Sequence, residues 1–90
     1  MPTYRKKPVE VRAVQIKGEP NAQEVLDFLD ELKAPYTVVG PWQFVILTAE
    51  GEMAATISDW LIEEPFPLEG RTVYPCKHHM FVKTYEKVKD

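Results

Sequence analysis

The segment that most constrains the fold of this 90-residue chain is residues 43–48. It reads Gln-Phe-Val-Ile-Leu-Thr, so an extended backbone here would carry apolar side chains on both faces. β-branched and aromatic residues favour strands, and a strand that is apolar on both faces is normally buried on both sides. We therefore predict a central strand at 43–48, which the other elements must cover.

One amphipathic helix is predicted over residues 22–33. Asn21 is a favourable N-cap with Glu24 three residues later, which is close to a capping box. The apolar residues that follow at helical spacing are Val25, Leu26, Phe28, Leu29 and Leu32. Pro35 should end the helix, because it lacks an N–H and pushes the preceding residue out of the α region.

Apolar residues at a period of two predict further strands on either side of the helix. The predicted strands are 9–16, 36–39, 43–48, 52–57, 60–63 and 71–74, with a helical turn at 77–84 and an extended segment at 85–88. Pro65, Pro67 and Gly70 predict a surface loop, and Pro75 must lie at a strand end or on an edge. The order predicts an α+β domain, in which one main helix packs on a strongly bent antiparallel sheet or a small open barrel.

The length and charge of the chain narrow the functions open to it. Residues 1–90 form one domain with a small core. The 14 acidic and 11 basic residues show no long run of either sign, which argues against a broad phosphate-tracking surface. A basic N-terminal cluster is the exception, and it consists of Arg5, Lys6, Lys7 and Arg12. We interpret the cluster as a solvent-exposed segment that leads into the first strand and keeps a sheet edge from pairing with other chains. The alternative is that it contacts nucleic acid.

Cysteine content and hydropathy predict a compartment. The single cysteine, Cys76, cannot form an internal disulfide, so the fold fits a reducing environment. No stretch approaches the ~18 apolar residues of a membrane span, and residues 1–20 alternate charged and apolar positions, unlike a signal peptide. We expect a cytoplasmic protein without a membrane partner.

Cys76, His78 and His79 are weak candidates for a metal site, since thiolate and imidazole are common zinc ligands. Adjacent histidines point in different directions, and a structural zinc site needs four ligands where the chain has one cysteine and two histidines. A Cys–His nucleophile pair usually takes its base from another element. Phosphate-loop and nucleophile-elbow motifs are also lacking. We predict no cofactor, no identifiable small-molecule ligand and no catalytic residues.

Four aromatic residues are candidates for a binding surface: Trp42, Trp60, Phe66 and Tyr74. Trp42 and Phe66 lie in predicted loops, where exposed aromatic side chains are typical anchors of protein interfaces. The alternative is that these side chains fold back and cap the open ends of the sheet.

Motifs spread along the chain carry a family resemblance. They are Arg5-Lys6-Lys7-Pro8-Val9, Asp59-Trp60, Tyr74-Pro75-Cys76-Lys77, Phe81 and Thr84-Tyr85-Glu86. In this order they resemble a family of small hypothetical proteins from tailed bacteriophages and prophages. The chain has Ile57-Ser58 where that family has Pro-Gly, and His78-His79 where it has Pro-Asp. The resemblance covers nearly the whole chain; it implies a phage-encoded protein of the host cytoplasm and no catalytic residues to transfer.

Three function classes follow from these observations. The first is a non-catalytic module that binds a host or phage protein, or its own copy, through an aromatic patch or a sheet edge. The second is a nucleic-acid binder that uses the basic cluster together with aromatic stacking. The third is a small metal protein or enzyme centred on Cys76, His78 and His79.

Overall fold

The strands form two antiparallel three-stranded sheets, accompanied by one main helix and one short helix. A computed structural model describes residues 1–5 and 8–88 of the chain. The elements in chain order are β1 (Ala13–Gln15), a 3-10 turn (Glu19–Asn21), α1 (Ala22–Glu31), β2 (Tyr36–Gly40), β3 (Gln43–Thr48), β4 (Gly51–Ala55), β5 (Trp60–Leu68), β6 (Arg71–Cys76) and α2 (His78–Thr84). The predicted α+β class is confirmed.

The predicted single bent sheet is instead two sheets, with strand orders β1-β5-β6 and β2-β3-β4. Trp60 at the start of β5 pairs with Gln15 of β1 and Cys76 of β6. The chain therefore passes from the β2-β3-β4 sheet to the β1-β5-β6 sheet at the turn formed by residues 56–59. Within the described residues no ladder joins the two sheets, so they do not close into a barrel.

Helix α1 begins and ends by local chemistry. Asn21 is the N-cap residue, but its side chain accepts a bond from the Lys17 N–H (2.9 Å) and donates to the Gln15 carbonyl (2.6 Å), so the predicted capping box does not form. Lys33 at the other end adopts a left-handed conformation (φ 54°). The N–H groups of Lys33 and Ala34 then donate to carbonyls of the last turn, which is a Schellman ending. The helix therefore ends before Pro35 is reached.

Strand β3 is the middle strand of its sheet, as predicted. Phe44, Ile46 and Thr48 are buried, whereas Val45 and Leu47 on the opposite face are only partly buried. The expectation of burial on both faces is therefore wrong, because only one face of this sheet meets the core. The buried core residues are Val14, Ile16, Val25, Leu29, Ala34, Phe44, Ile46, Ala55, Leu61, Ile62 and Val73.

Other boundaries differ where pairing is irregular. The first strand is shortened to Ala13–Gln15. The predicted loop around Pro65 and Pro67 is wrong, because β5 continues to Leu68 and the hairpin turns at 69–70. The register shifts between Glu63 and Leu68, and this bulge accommodates prolines that cannot donate to a ladder.

The chain end matches its prediction in part. Residues 78–84 form helix α2, as expected, and Pro75 lies on edge strand β6. Residues 85–88 are not in a strand. None of the helices in the described part of the chain has the length and apolarity that a bilayer crossing requires.

Candidate functional site: the C-terminal aromatic cluster and the hairpin-tip surface

Helix α2 is attached to β5 by stacked rings, which we call the aromatic cluster (Trp60, His78, Phe81 and Tyr85). The Trp60 and Phe81 ring centroids are 3.8 Å apart with 4° between the planes. Phe81 stacks in turn on Tyr85 at 5.0 Å. Tyr85 is the C-cap residue directly after α2, four residues beyond Phe81. Trp60, a predicted binding residue, is thereby partly buried.

The inner ring nitrogen of His78 is engaged by donors. The Trp60 indole N–H donates to His78 Nδ1 at 3.0 Å, and Gln15 Nε2 lies 3.2 Å from the same atom. An atom that accepts from an indole N–H carries no proton, so the ring proton of neutral His78 is on Nε2. His78 thus holds α2 against β1 and β5. The neighbouring His79 is exposed.

Asp59 organises the turn that leads into β5. The residue is 4% exposed, and its Oδ2 accepts bonds from the Thr56 N–H (3.0 Å) and from Lys77 Nζ (3.1 Å). The turn and the start of α2 are therefore tied together through one carboxylate oxygen.

Cys76 lies in the same region as a partly buried thiol. Burial, and secondarily the negative charge of Asp59, raise the pKa of this thiol above its usual value. A raised pKa keeps the thiol protonated, and the thiol is a weak nucleophile and a poor metal ligand. Its sulfur donates to the Lys77 carbonyl at 3.5 Å. Across residues 1–5 and 8–88, no three His, Cys, Asp or Glu side chains are grouped so as to hold a metal ion.

Tyr74 is joined to the end of the aromatic cluster. Its hydroxyl is 2.6 Å from the hydroxyl of Tyr85. Burial, followed by the bond to Tyr85, raises the pKa of Tyr74 well above the ordinary tyrosine range. The structure therefore places the predicted binding residue Tyr74 at the contact between β6 and the segment after α2.

The basic N-terminal cluster is only partly described. Arg12 Nη1 lies 2.7 Å from Glu31 Oε1, and Nη2 lies 3.3 Å from Glu63 Oε2. The bond from Arg12 lowers the pKa of Glu63, and the two carboxylates raise the pKa of Arg12. Arg12 thus links β5 to α1 and has its guanidinium occupied by carboxylates. Arg5 is exposed, and Lys6 and Lys7 lie outside the described residues.

The two loop aromatics have opposite surroundings. Trp42 lies in the turn between β2 and β3 with φ 59° and packs against the core. Phe66 is 73% exposed in the outer part of β5. Of these two residues, Phe66 therefore presents the larger aromatic surface to a partner.

The exposed face around Phe66 is the hairpin-tip surface, which consists of Phe66 and Leu68. Leu68 is 64% exposed and lies two residues further along β5, at the end of the irregularly paired segment between Glu63 and Leu68. A groove of about 290 Å³ lies beside the hairpin. Its lining includes Val9, Leu32, Pro65, Pro67 and Thr72. Thr72 Oγ1 is buried and has no hydrogen-bond partner in the part of the chain described.

Sequence reasoning found Phe66 but missed Leu68 and the groove. The signal for Leu68 was present, since a leucine between Pro67 and Glu69 lies in the same exposed segment. The groove carried no local signal, because Val9 and Leu32 come from distant parts of the chain. Comparison with protein-family models, curated proteins and solved structures finds no significant match to this chain, so the phage-family resemblance stays a prediction.

Proposed function

We propose that this protein is a non-catalytic binding module that recognises a protein partner through the hairpin-tip surface. The observation that carries the proposal is the exposure of two large apolar side chains two residues apart near the end of β5, Phe66 (73%) and Leu68 (64%). Large apolar side chains exposed together are typical of interaction surfaces, and aromatic side chains dominate the energetics of such contacts. In the setting that the family resemblance implies, the module is a phage-encoded accessory protein of the host cytoplasm.

The charges beside the hairpin-tip surface indicate the chemistry of the partner. Glu64 and Glu69 flank Phe66 and Leu68 in the sequence and outnumber Arg71, which pairs with Leu68 across the hairpin. The chain as a whole has a net charge of −3. Complementary charges accelerate association and suppress wrong partners. The proposed partner surface is therefore an apolar pocket bordered by lysine or arginine side chains.

The surroundings of the candidate metal, catalytic and nucleic-acid-binding residues support a protein-binding role over the two alternative functions. The Cys76 thiol has a raised pKa, and His78 Nδ1 accepts a bond from Trp60, so neither group is free for metal or nucleophilic chemistry. Arg12, a member of the basic cluster, is paired with Glu31 and Glu63. These contacts give Arg12 and His78 structural partners and so favour the binding role over the two alternatives.

A variant-controlled capture experiment tests the proposal. Immobilised wild-type protein, Phe66→Ser and Val82→Ser are incubated with lysate of the host bacterium, and the bound proteins are compared by quantitative mass spectrometry. Val82 is the matched control, because it is a 56% exposed apolar residue on α2, outside the hairpin tip. We expect at least one protein to be retained by wild type and Val82→Ser and lost with Phe66→Ser.

Two results would contradict the proposal. Identical captured sets for all three proteins would show that the hairpin tip is not used. Capture that disappears after nuclease treatment of the lysate would favour the nucleic-acid alternative instead.

A further inference from the structure

Strand β2 is an edge strand whose outer side is open. It pairs with β3 alone, and no other element packs closely along it in the described residues. Thr37 is exposed, and Val38 and Val39 are 55% and 57% exposed. An unpaired strand edge presents free N–H and C=O groups that can pair with another strand. This edge shares no residue with the hairpin-tip surface.

Charged side chains, one common protection of sheet edges, are missing at β2, and its only irregularity in the described residues is the register shift between Val38 and Gly40. Natural edge strands are commonly blunted by charged side chains, above all lysine. The sequence has no Asp, Glu, Lys or Arg between Lys33 and Glu50, so β2 and β3 are both free of charge. At the other edge of the same sheet, β4 carries Glu52. The sheet thus has one charged edge and one uncharged edge.

The pairing of β2 with β3 determines which backbone groups point outward. The Leu47 N–H donates to the Pro35 carbonyl at 3.0 Å, so these two residues form a hydrogen-bonded pair. Hydrogen-bonded and non-hydrogen-bonded pairs alternate along an antiparallel ladder. Thr37 therefore directs its backbone groups toward β3, and Tyr36 and Val38 direct theirs toward the open edge.

From this pattern we infer that β2 pairs with β2 of a second copy of the chain in an antiparallel, two-fold symmetric ladder. The register places Tyr36 opposite Val38 of the second copy and Thr37 opposite Thr37 of the second copy. Each outward-pointing residue then meets another outward-pointing residue, so the backbone bonds of both strands are satisfied. Because β2 contains no charged residue, no two charged side chains of the paired β2 strands face each other.

The side chains in this register are complementary. Aromatic residues opposite β-branched residues, and threonine opposite threonine, are favourable cross-strand pairs. Tyr36 is already held in place, because its hydroxyl donates to Asp30 Oδ1 at 3.1 Å. Its ring is therefore positioned beside the exposed Val38 of the second copy. These pairings favour a second copy over an unrelated strand as the occupant of the edge.

The strand is short, so the dimer is weak. β2 has five residues, and pairing along them covers less than the ~1,200 Å² at the lower end of stable interfaces. We therefore expect a monomer–dimer equilibrium that depends on the protein concentration. The measurement should extend to a protein concentration of roughly 1 mM, because weak association has dissociation constants in this range.

Sedimentation equilibrium with charge variants tests the edge. Val38→Lys places a charge on the edge, and Met53→Lys is the matched control on β4, where Met53 is 37% exposed. Circular dichroism verifies that both variants fold. We expect Val38→Lys to weaken dimerisation at least ~10-fold and Met53→Lys to leave it within about threefold. A wild-type chain that stays monomeric, or a dimer that is equally strong in Val38→Lys, would overturn the inference.

Disulfide trapping tests the register itself. In the proposed dimer Thr37 forms a non-hydrogen-bonded pair with its copy, with Cα atoms about 4.5 Å apart, which is within the range that a disulfide spans. Thr37→Cys and Ala54→Cys are compared in a Cys76→Ser background, which removes the native thiol. Ala54 is the matched control, because Thr37 and Ala54 both pair with Val45 and so share one face of the sheet. We expect the Thr37→Cys protein to be oxidised to a covalent dimer several-fold faster. Equal rates for the two variants would exclude this register.

Discussion

The ring of Phe81 lies parallel to the ring of Trp60, with 3.8 Å between centroids and 4° between planes. Helix α2 has only seven residues, and isolated helices of that length are not stable in water. Its stability must therefore come from tertiary contacts, of which this stack is the closest aromatic one. Five predictions follow from this and the other contacts described above.

Phe81→Ala should release α2 from β5. The substitution removes a partly buried ring and its stack on Trp60, so we expect the free energy of unfolding to fall by about 1–3 kcal/mol. Urea denaturation followed by tryptophan fluorescence measures this change. Val82→Ala is the control on the same helix, and as an exposed position it should change stability by no more than about 0.5 kcal/mol. Equal effects of the two substitutions would mean that the stack does not hold the helix.

The Tyr74–Tyr85 bond should make the fold sensitive to alkali. The raised pKa of Tyr74 means that the folded chain keeps a proton that the unfolded chain loses at about pH 10, the ordinary tyrosine value. This contribution to stability is complete below that pH and is lost as the pH rises above it. Tyr74→Phe should cost about 0.5–1.5 kcal/mol at neutral pH and flatten the loss of stability above pH 10. Urea denaturation at several pH values tests this; identical alkaline slopes would disprove it.

The Arg12–Glu63 pair should make the fold sensitive to acid. The bond from Arg12 lowers the pKa of Glu63 below its ordinary value of 4.5, so the unfolded chain binds the proton more readily than the folded chain. The contribution is therefore present above about pH 4.5 and is lost as the pH falls. In Glu63→Gln the melting temperature should fall less steeply between neutral pH and pH 3 than in wild type. The exposed Glu52→Gln is the control and should retain the wild-type slope.

Asp59→Ala should destabilise the turn before β5. It removes the buried acceptor of the Thr56 N–H and leaves the turn without this part-buried side-chain bond. We expect a loss of about 1–3 kcal/mol in the free energy of unfolding. Lys77→Met removes only the exposed partner of the ion pair and should cost less than about 1 kcal/mol. If Lys77→Met were as damaging as Asp59→Ala, the ion pair would matter more than the backbone bond.

Ser58→Gly should stabilise the protein. Ser58 has φ 83°, a left-handed conformation that glycine adopts without steric cost. We expect a gain of about 1 kcal/mol, measured as an increase in the urea midpoint. Thr56→Gly in the same turn should instead destabilise, because Thr56 has no positive φ to relieve.

Local pattern was sufficient for several elements. The helical spacing of Val25 and Leu29 predicted α1, and the run of β-branched and aromatic residues at 43–48 predicted β3, because both signals lie within a few neighbouring residues. The predicted helix at the chain end also matched α2. Of the candidate site, Phe66 was found because prolines on either side indicated an exposed segment.

Tertiary structure decided what depends on distant residues. Arg12 meets Glu63 across 51 positions, and no local pattern states that this arginine will pair with a carboxylate of a later strand. The division into two sheets likewise depends on Trp60 pairing with Gln15 instead of β4. The sequence by itself determined where the main helix and most of the strands form, since these depend on the side-chain pattern of a few neighbouring residues. Only the packed chain determined which charges and strand edges stay free for a partner, because pairing between distant segments is a property of the whole fold.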